Sequence, residues 1–202
     1  MRPRQFTDSE MLAAARRCFL EHGSSVSTAV IAKEVGVSSA ALFRRVGSKR
    51  ELLLRALVPP MPGYVATLMR GPDERPVLEQ LEELAVEIDA FFENLFPLMA
   101  VMQGSGIHPK ELFAGLDEPP PAISTRALAS WFSRLAEQGR VIVDKPVSVA
   151  VAFVGGLHGR HFLRYACGVA MPEIEPEHPR TYAKIFCGGI LPPEPTPAEP
   201  TD

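Results

Sequence analysis

The chain has 202 residues, 46% of them apolar, enough for one or two domains with a buried core and too many for a chain disordered throughout. The net charge is −3, yet residues 1–57 hold ten Lys and Arg against five Asp and Glu, whereas the remainder holds eleven against nineteen. A polybasic sheath over the whole molecule is excluded, and an anionic partner is expected for the first part alone. Three cysteines (Cys18, Cys167, Cys187) are too few and too scattered for a disulfide framework and form no CxxC pair. They point to a reducing compartment and to buried, inert thiols. The segment Met1 to Asp8 lacks the apolar core of a signal peptide, and no apolar run reaches the length of a membrane span. A soluble, cytoplasmic protein with no membrane contact is expected.

In chain order, the first helix is predicted from about Asp8 to His22, because Thr7 and Glu10 form a capping box and Phe6 is placed to staple against Met11. Its apolar residues Met11, Leu12, Ala15 and Phe19 share a face, and Gly23 stops it. A second helix follows from Thr28 to Val35, capped by Ser27 and ended by Gly36, and a third from about Ser38 to Arg45. Gly47 breaks the third, and Ser48 with Glu51 starts a fourth that ends at the prolines beginning with Pro59. Only one of the twenty prolines lies before residue 58, so a boundary is placed there.

Beyond it, Leu78, Leu81, Ala85, Ile88, Phe92 and Leu95 recur three and four apart and predict one long amphipathic helix. Residues 104–121 read as loop with at most short helical pieces, and a helix from about Ala122 to Gln138 carries Ile123, Ala127, Trp131 and Leu135 on one face. Val147 to Leu157 is apolar almost all round. A lone strand there would leave its backbone unpaired, so a buried helix from about Pro146 to Ala166, covered on several sides, is preferred. A last helix is predicted from His178 to Cys187. Residues 192–202 hold five prolines and three acids and read as a disordered tail. The fold class is therefore all-α.

Residues 27–46 meet the requirements of a helix-turn-helix. Ala32 is small where two helices must cross closely, and Gly36 stands where the turn needs a positive φ. Ile31, Val35, Val37 and Leu42 supply the core between the helices. The third helix presents only small or cationic groups at its start and end, namely Ser38, Ser39, Ala40, Arg44 and Arg45, so it can enter a major groove without obstruction. Lys49 opposes the dipole of the fourth helix, a local cost offset where a phosphate meets both the lysine and the free amides. Arg2 and Arg4 supply a basic arm able to reach the backbone or minor groove.

On these residues the chain resembles the TetR family of transcriptional regulators. The pieces that carry the resemblance are Ala14 to Gly23, Ile31 to Ser38, and Leu42 to Leu52, about a quarter of the chain. The resemblance implies an N-terminal three-helix DNA-binding domain over residues 1–57. It also implies a larger helical domain over 58–191 that dimerises and binds an effector. It places Ser27 and Thr28 at a phosphate-contacting helix start, Ser38 to Ala40 at the base-reading start of the recognition helix, and Lys49 on a phosphate. Phe43 departs from the family's usual tyrosine and offers only apolar contact, such as to a thymine methyl. Arg45 stands where histidine is common, and Val46 where phenylalanine is frequent. The partners implied are a double-stranded, pseudo-palindromic operator, a second copy of the chain, and a small apolar or aromatic effector that releases the DNA.

Candidate effector-lining residues are Phe91, Phe92, Leu95, Met99, Met102, Trp131, Leu135, His158, His161 and Phe162. Such residues at helical spacing serve equally as plain core, and the resemblance alone favours the pocket. His158 and His161 have a spacing that suits two metal ligands, but no acidic residue is near them in sequence, so no metal and no other cofactor is expected. No nucleophile with an adjacent base emerges, so no enzyme is expected. The competing readings are a helical interaction protein that has lost DNA binding and a metal-dependent enzyme using His158 and His161.

Overall fold

The computed structural model describes residues 7–114, 116–167 and 174–191. The elements among them are all helical: α1 (Asp8–His22), α2 (Thr28–Val35), α3 (Ser39–Val46), α4 (Lys49–Leu57), α5 (Gly63–Arg70), α6 (Val77–Gly104), α7 (Pro109–Leu112), α8 (Pro120–Glu137), α9 (Pro146–Cys167) and α10 (His178–Gly188). None is long and apolar enough to cross a membrane. The chain forms two compact units. One draws on the N-terminal segment up to Met61 and on Glu93–Pro119, the other on Pro62–Phe92 and the chain from Pro120 onward. The arm residues Arg2 and Arg4, the staple residue Phe6 and the tail 192–202 lie outside the described residues.

In the first unit, each helix begins where a side chain satisfies its orphan amides. Thr7 Oγ1 accepts from the Glu10 amide at 3.1 Å, and Glu10 Oε2 accepts from the Thr7 amide at 2.8 Å, closing the capping box of α1. Ser27, Ser38 and Ser48 cap α2, α3 and α4 in the same way, so Ser38 stands just outside the recognition helix rather than in it. Gly36 ends α2 in the left-handed conformation at φ 80°, and its amide and that of Val37 return to the last turn of α2. Met11, Phe19, Ile31, Leu42, Leu52 and Ala56 are fully buried, and Ala32, 2% exposed, lets α2 pack closely. The end of α6 joins the same core through Leu98 and Met102. Arg16 secures the C-terminus of α4: its Nε donates to the Ala56 carbonyl at 2.7 Å and its Nη2 to the Val58 carbonyl at 2.5 Å.

In the second unit, Leu81, Ala85 and Ile88 of α6 are fully buried, as are Phe132 and Leu135 of α8 and Ala150, Phe153 and Leu157 of α9. Aromatic edges join the helices: Phe132 of α8 meets Phe153 of α9 at 6.3 Å, and Phe153 meets Phe186 of α10 at 4.9 Å. Helix α5 has no counterpart in the sequence reading. It follows Pro62 at the N-cap position with no side-chain cap and spans only eight residues, so neither a start signal nor a long periodicity announces it. Helix α9 corrects a second expectation. It is covered along Ala150, Phe153 and Leu157, but Val147 and Val151 are 62% and 56% exposed, so the described residues of one chain do not cover it on several sides.

Candidate functional site

The first unit gathers most of the residues assigned to DNA. Leu42 and Val46 are buried and hold the inner face of α3, which leaves Ser38, Ala40, Arg44 and Arg45 exposed and Ser39 and Phe43 half-buried. No acidic residue lies in the first turn of α2 or α3. Thr28 and Lys49 are the first residues of α2 and α4, both half-buried, beside amides with no partner inside their helices. Ser27 and Ser38 accept from Val30 and Ala41 as caps, at 3.4 and 3.2 Å. Acceptance leaves each hydroxyl proton able to donate to a phosphate oxygen. Three helix starts thus offer donors where an anion is favoured.

Arg45 is already engaged. Its Nε donates to Asp8 Oδ1, and Arg55 Nη2 donates to Asp8 Oδ2 at 2.9 Å. These two guanidinium groups hold the Asp8 carboxyl below its usual range. Arg45 is therefore anchored to α1 with its charge partly offset, whereas Arg44 projects from α3 with no acidic side chain on it among the described residues.

The effector-lining candidates divide between the units. Met102 is buried and Met99 half-buried in the core that α6 shares with α1 to α4, and Leu95 belongs to the same segment. Trp131 and Leu135 lie in the core of the second unit, 2% and 0% exposed. Phe91, Phe92, His158, His161 and Phe162 do come together. Phe92 meets His158 edge-on at 5.1 Å and His161 at 6.2 Å, His158 stacks on Phe162 at 5.9 Å, and Phe91 meets Phe92 at 5.6 Å and Tyr64 at 6.1 Å. Burial, then the neighbouring His161, pushes the His158 imidazole below its ordinary pKa.

Beside these rings lies an ionic cluster that the sequence reading missed. Asp89 of α6, 5% exposed, accepts from Arg160 Nε at 2.6 Å on Oδ1 and from Arg160 Nη2 on Oδ2, and His161 Nε2 lies 2.8 Å from Oδ1. A signal for it existed: Asp89 follows Leu81 and Ala85 at helical spacing, and Arg160 and His161 extend the buried row Ala150, Phe153, Leu157. No group of three His, Cys, Asp or Glu able to hold a metal is assembled among the described residues. Cys18 and Cys187 are buried and free, and burial raises both thiols above their usual pKa.

Residues 11–56 match the model of the bacterial regulatory proteins of the tetR family. No curated protein sequence matches the chain. Among solved structures it is similar to a TetR-family transcriptional regulator from Mesorhizobium loti, with a TM-score of 0.72 and 17% identity over 91% of this chain and 96% of that one. It is similar to the TetR-family regulator PfmR from Thermus thermophilus, with a TM-score of 0.60 and 21% identity over 87% and 96%. It is also similar to the flavonoid-responsive regulator FrrA, with a TM-score of 0.54 and 22% identity over 91% and 96%. Residues 11–56 are thus similar to the DNA-binding segment of the tetR family, and the chain as a whole has the all-helical fold of TetR-family transcriptional regulators.

Proposed function

We propose that the protein is a homodimeric repressor that binds a pseudo-palindromic operator through residues 1–57 and releases it when a small, mostly apolar or aromatic effector enters the domain spanning 58–191. The carrying observation is the division of α3: Leu42 and Val46 are buried, and Ser38, Ala40 and Arg44 are exposed. Base reading falls to Ser38, Ser39, Ala40, Phe43 and Arg44, and backbone contact to Ser27, Thr28, Arg45 and Lys49, with Arg2 and Arg4 as an arm.

The exposed apolar residues of α9 and α10 support the homodimer. Val147, Val151, Leu163 and Ile185 are 43 to 72% exposed, an apolar patch that a lone soluble protein rarely carries. A second copy covers it and sets two recognition helices at half-sites about 34 to 36 Å, or a multiple, apart. Phe91, Phe92, His158, His161 and Phe162 supply aromatic surface and a few polar atoms for an effector. Selection of duplexes from a random pool tests the reading. The expected result is enrichment of an inverted repeat, and enrichment of no sequence would overturn it.

A further inference from the structure

Resting on the effector reading above, we infer that Arg160 anchors a carboxylate on the effector, so that the molecule sensed is an apolar or aromatic carboxylic acid. Arg160 grips Asp89 side-on, through Nε to Oδ1 and Nη2 to Oδ2. That grip consumes one edge of the guanidinium. The opposite edge, made by Nη1 and the second hydrogen of Nη2, has no partner among the described residues, and the side chain is 20% exposed. Parallel N–H groups on one edge of a fixed plane match the two oxygens of a carboxylate.

The surroundings select the rest of the ligand. Phe92 meets both His158 and His161, the latter a partner of Asp89, and Phe162 stacks on His158, so rings adjoin the cluster that holds the guanidinium. One open guanidinium edge with rings adjoining suits a monoanion with an apolar body better than a multiply charged phosphate ester. Asp89 is buried, and with His161 it fixes the plane of the guanidinium before any ligand arrives. A buried ion pair adds little stability over apolar packing of the same volume. Its contribution here is orientation: Asp89 and His161 are positioning residues and Arg160 is the binding residue.

The test uses the full-length protein and matched pairs of acid and primary amide: phenylacetate with phenylacetamide, indole-3-acetate with its amide, and decanoate with decanamide. Calorimetry and operator release are read for the parent, Arg160→Met, Arg160→Gln and Asp89→Asn, each checked for helix content and sedimentation. The expected result is that at least one acid binds the parent tenfold or more tighter than its amide. That preference falls below twofold in both Arg160 variants and to an intermediate value in Asp89→Asn. Equal binding of acids and amides, binding of neither, or a preference that survives in folded Arg160 variants would overturn the anchor. Loss of the dimer in the Arg160 variants without any acid preference in the parent would assign the open edge to the subunit interface and overturn it likewise. An acid whose Arg160-dependent binding leaves operator affinity unchanged would uphold the anchor and overturn the effector reading.

Discussion

Lys49 and Arg44 are both cations of the first unit, but their positions suit different work. Lys49 opens α4 beside amides that have no partner inside the helix, which on the proposed reading suits a phosphate, whereas Arg44 is exposed on α3, which suits base edges. Lys49→Ala is expected to weaken binding to all duplexes alike and to flatten the dependence of log affinity on log salt by about one unit. Arg44→Ala is expected to change which bases are selected. Equal selection profiles and salt slopes for the two variants would remove the distinction. Asp8 makes a third case. Its carboxyl is held below the ordinary value of 3.8 by Arg45 and Arg55, so the charged form is favoured in the folded state. The contribution is present above the unfolded value and is lost as pH falls from about that value through the lower folded one. Asp8→Asn is expected to flatten acid unfolding monitored by circular dichroism below that pH. It also releases the charge of Arg45 and Arg55, so binding to nonspecific duplex at low salt is expected to tighten.

Helix boundaries in the first unit follow from caps that act within four residues. Gly36 shows how firmly: at φ 80° an alanine Cβ meets the following backbone, a cost of about 1 to 2 kcal/mol. Gly36→Ala is expected to lower the melting temperature without changing base preference in whatever fraction remains folded. Helix α9 behaves differently, because Val147 and Val151 on its outward row are apolar and exposed among the described residues. Val151 is 56% exposed, so Val151→Glu is expected to leave the protomer folded and to shift sedimentation from dimer to monomer at micromolar concentration. Operator binding falls with it, since one half-site held alone loses the effective concentration provided by the other. A Val151→Glu dimer as tight as the parent would move the interface elsewhere.

For the molecule entire, regulation needs a coupling free energy of only about 1 to 3 kcal/mol, a factor of roughly 5 to 150 in affinity. Helix α6 is continuous from one unit into the other, so an event along its first half is covalently connected to the segment that carries Leu98 and Met102. Trp131 is 2% exposed against Phe132, which makes its fluorescence a reporter of repacking in the second unit. An effector is expected to change that fluorescence and lower operator affinity over one concentration range, and saturating operator is expected to weaken the effector by the same factor. Unequal factors in the two titrations would break the linkage.

The chain order alone made the first unit legible, because its instructions are short-range. Thr7 with Glu10, Ser27, Gly36, Ser38 and Ser48 each act on a neighbour three or four residues away, and the apolar rows of α1 and α3 follow one helical period. Small and cationic residues on the outward row of α3 then pointed to DNA as the expected partner. Helix α5 escaped because its eight residues carry no cap and adjoin Pro62. The effector candidates were legible as apolar positions but not as neighbours: Met99 and Met102 turned out to serve the core of the first unit, whereas Phe92, His158 and Phe162 met in the second. Asp89 and Arg160 are 71 residues apart, and nothing local couples them. Periodicity says which face of a helix is buried, but the partner across that face is set by how the helices pack, and only there did a buried carboxylate find the guanidinium it orients.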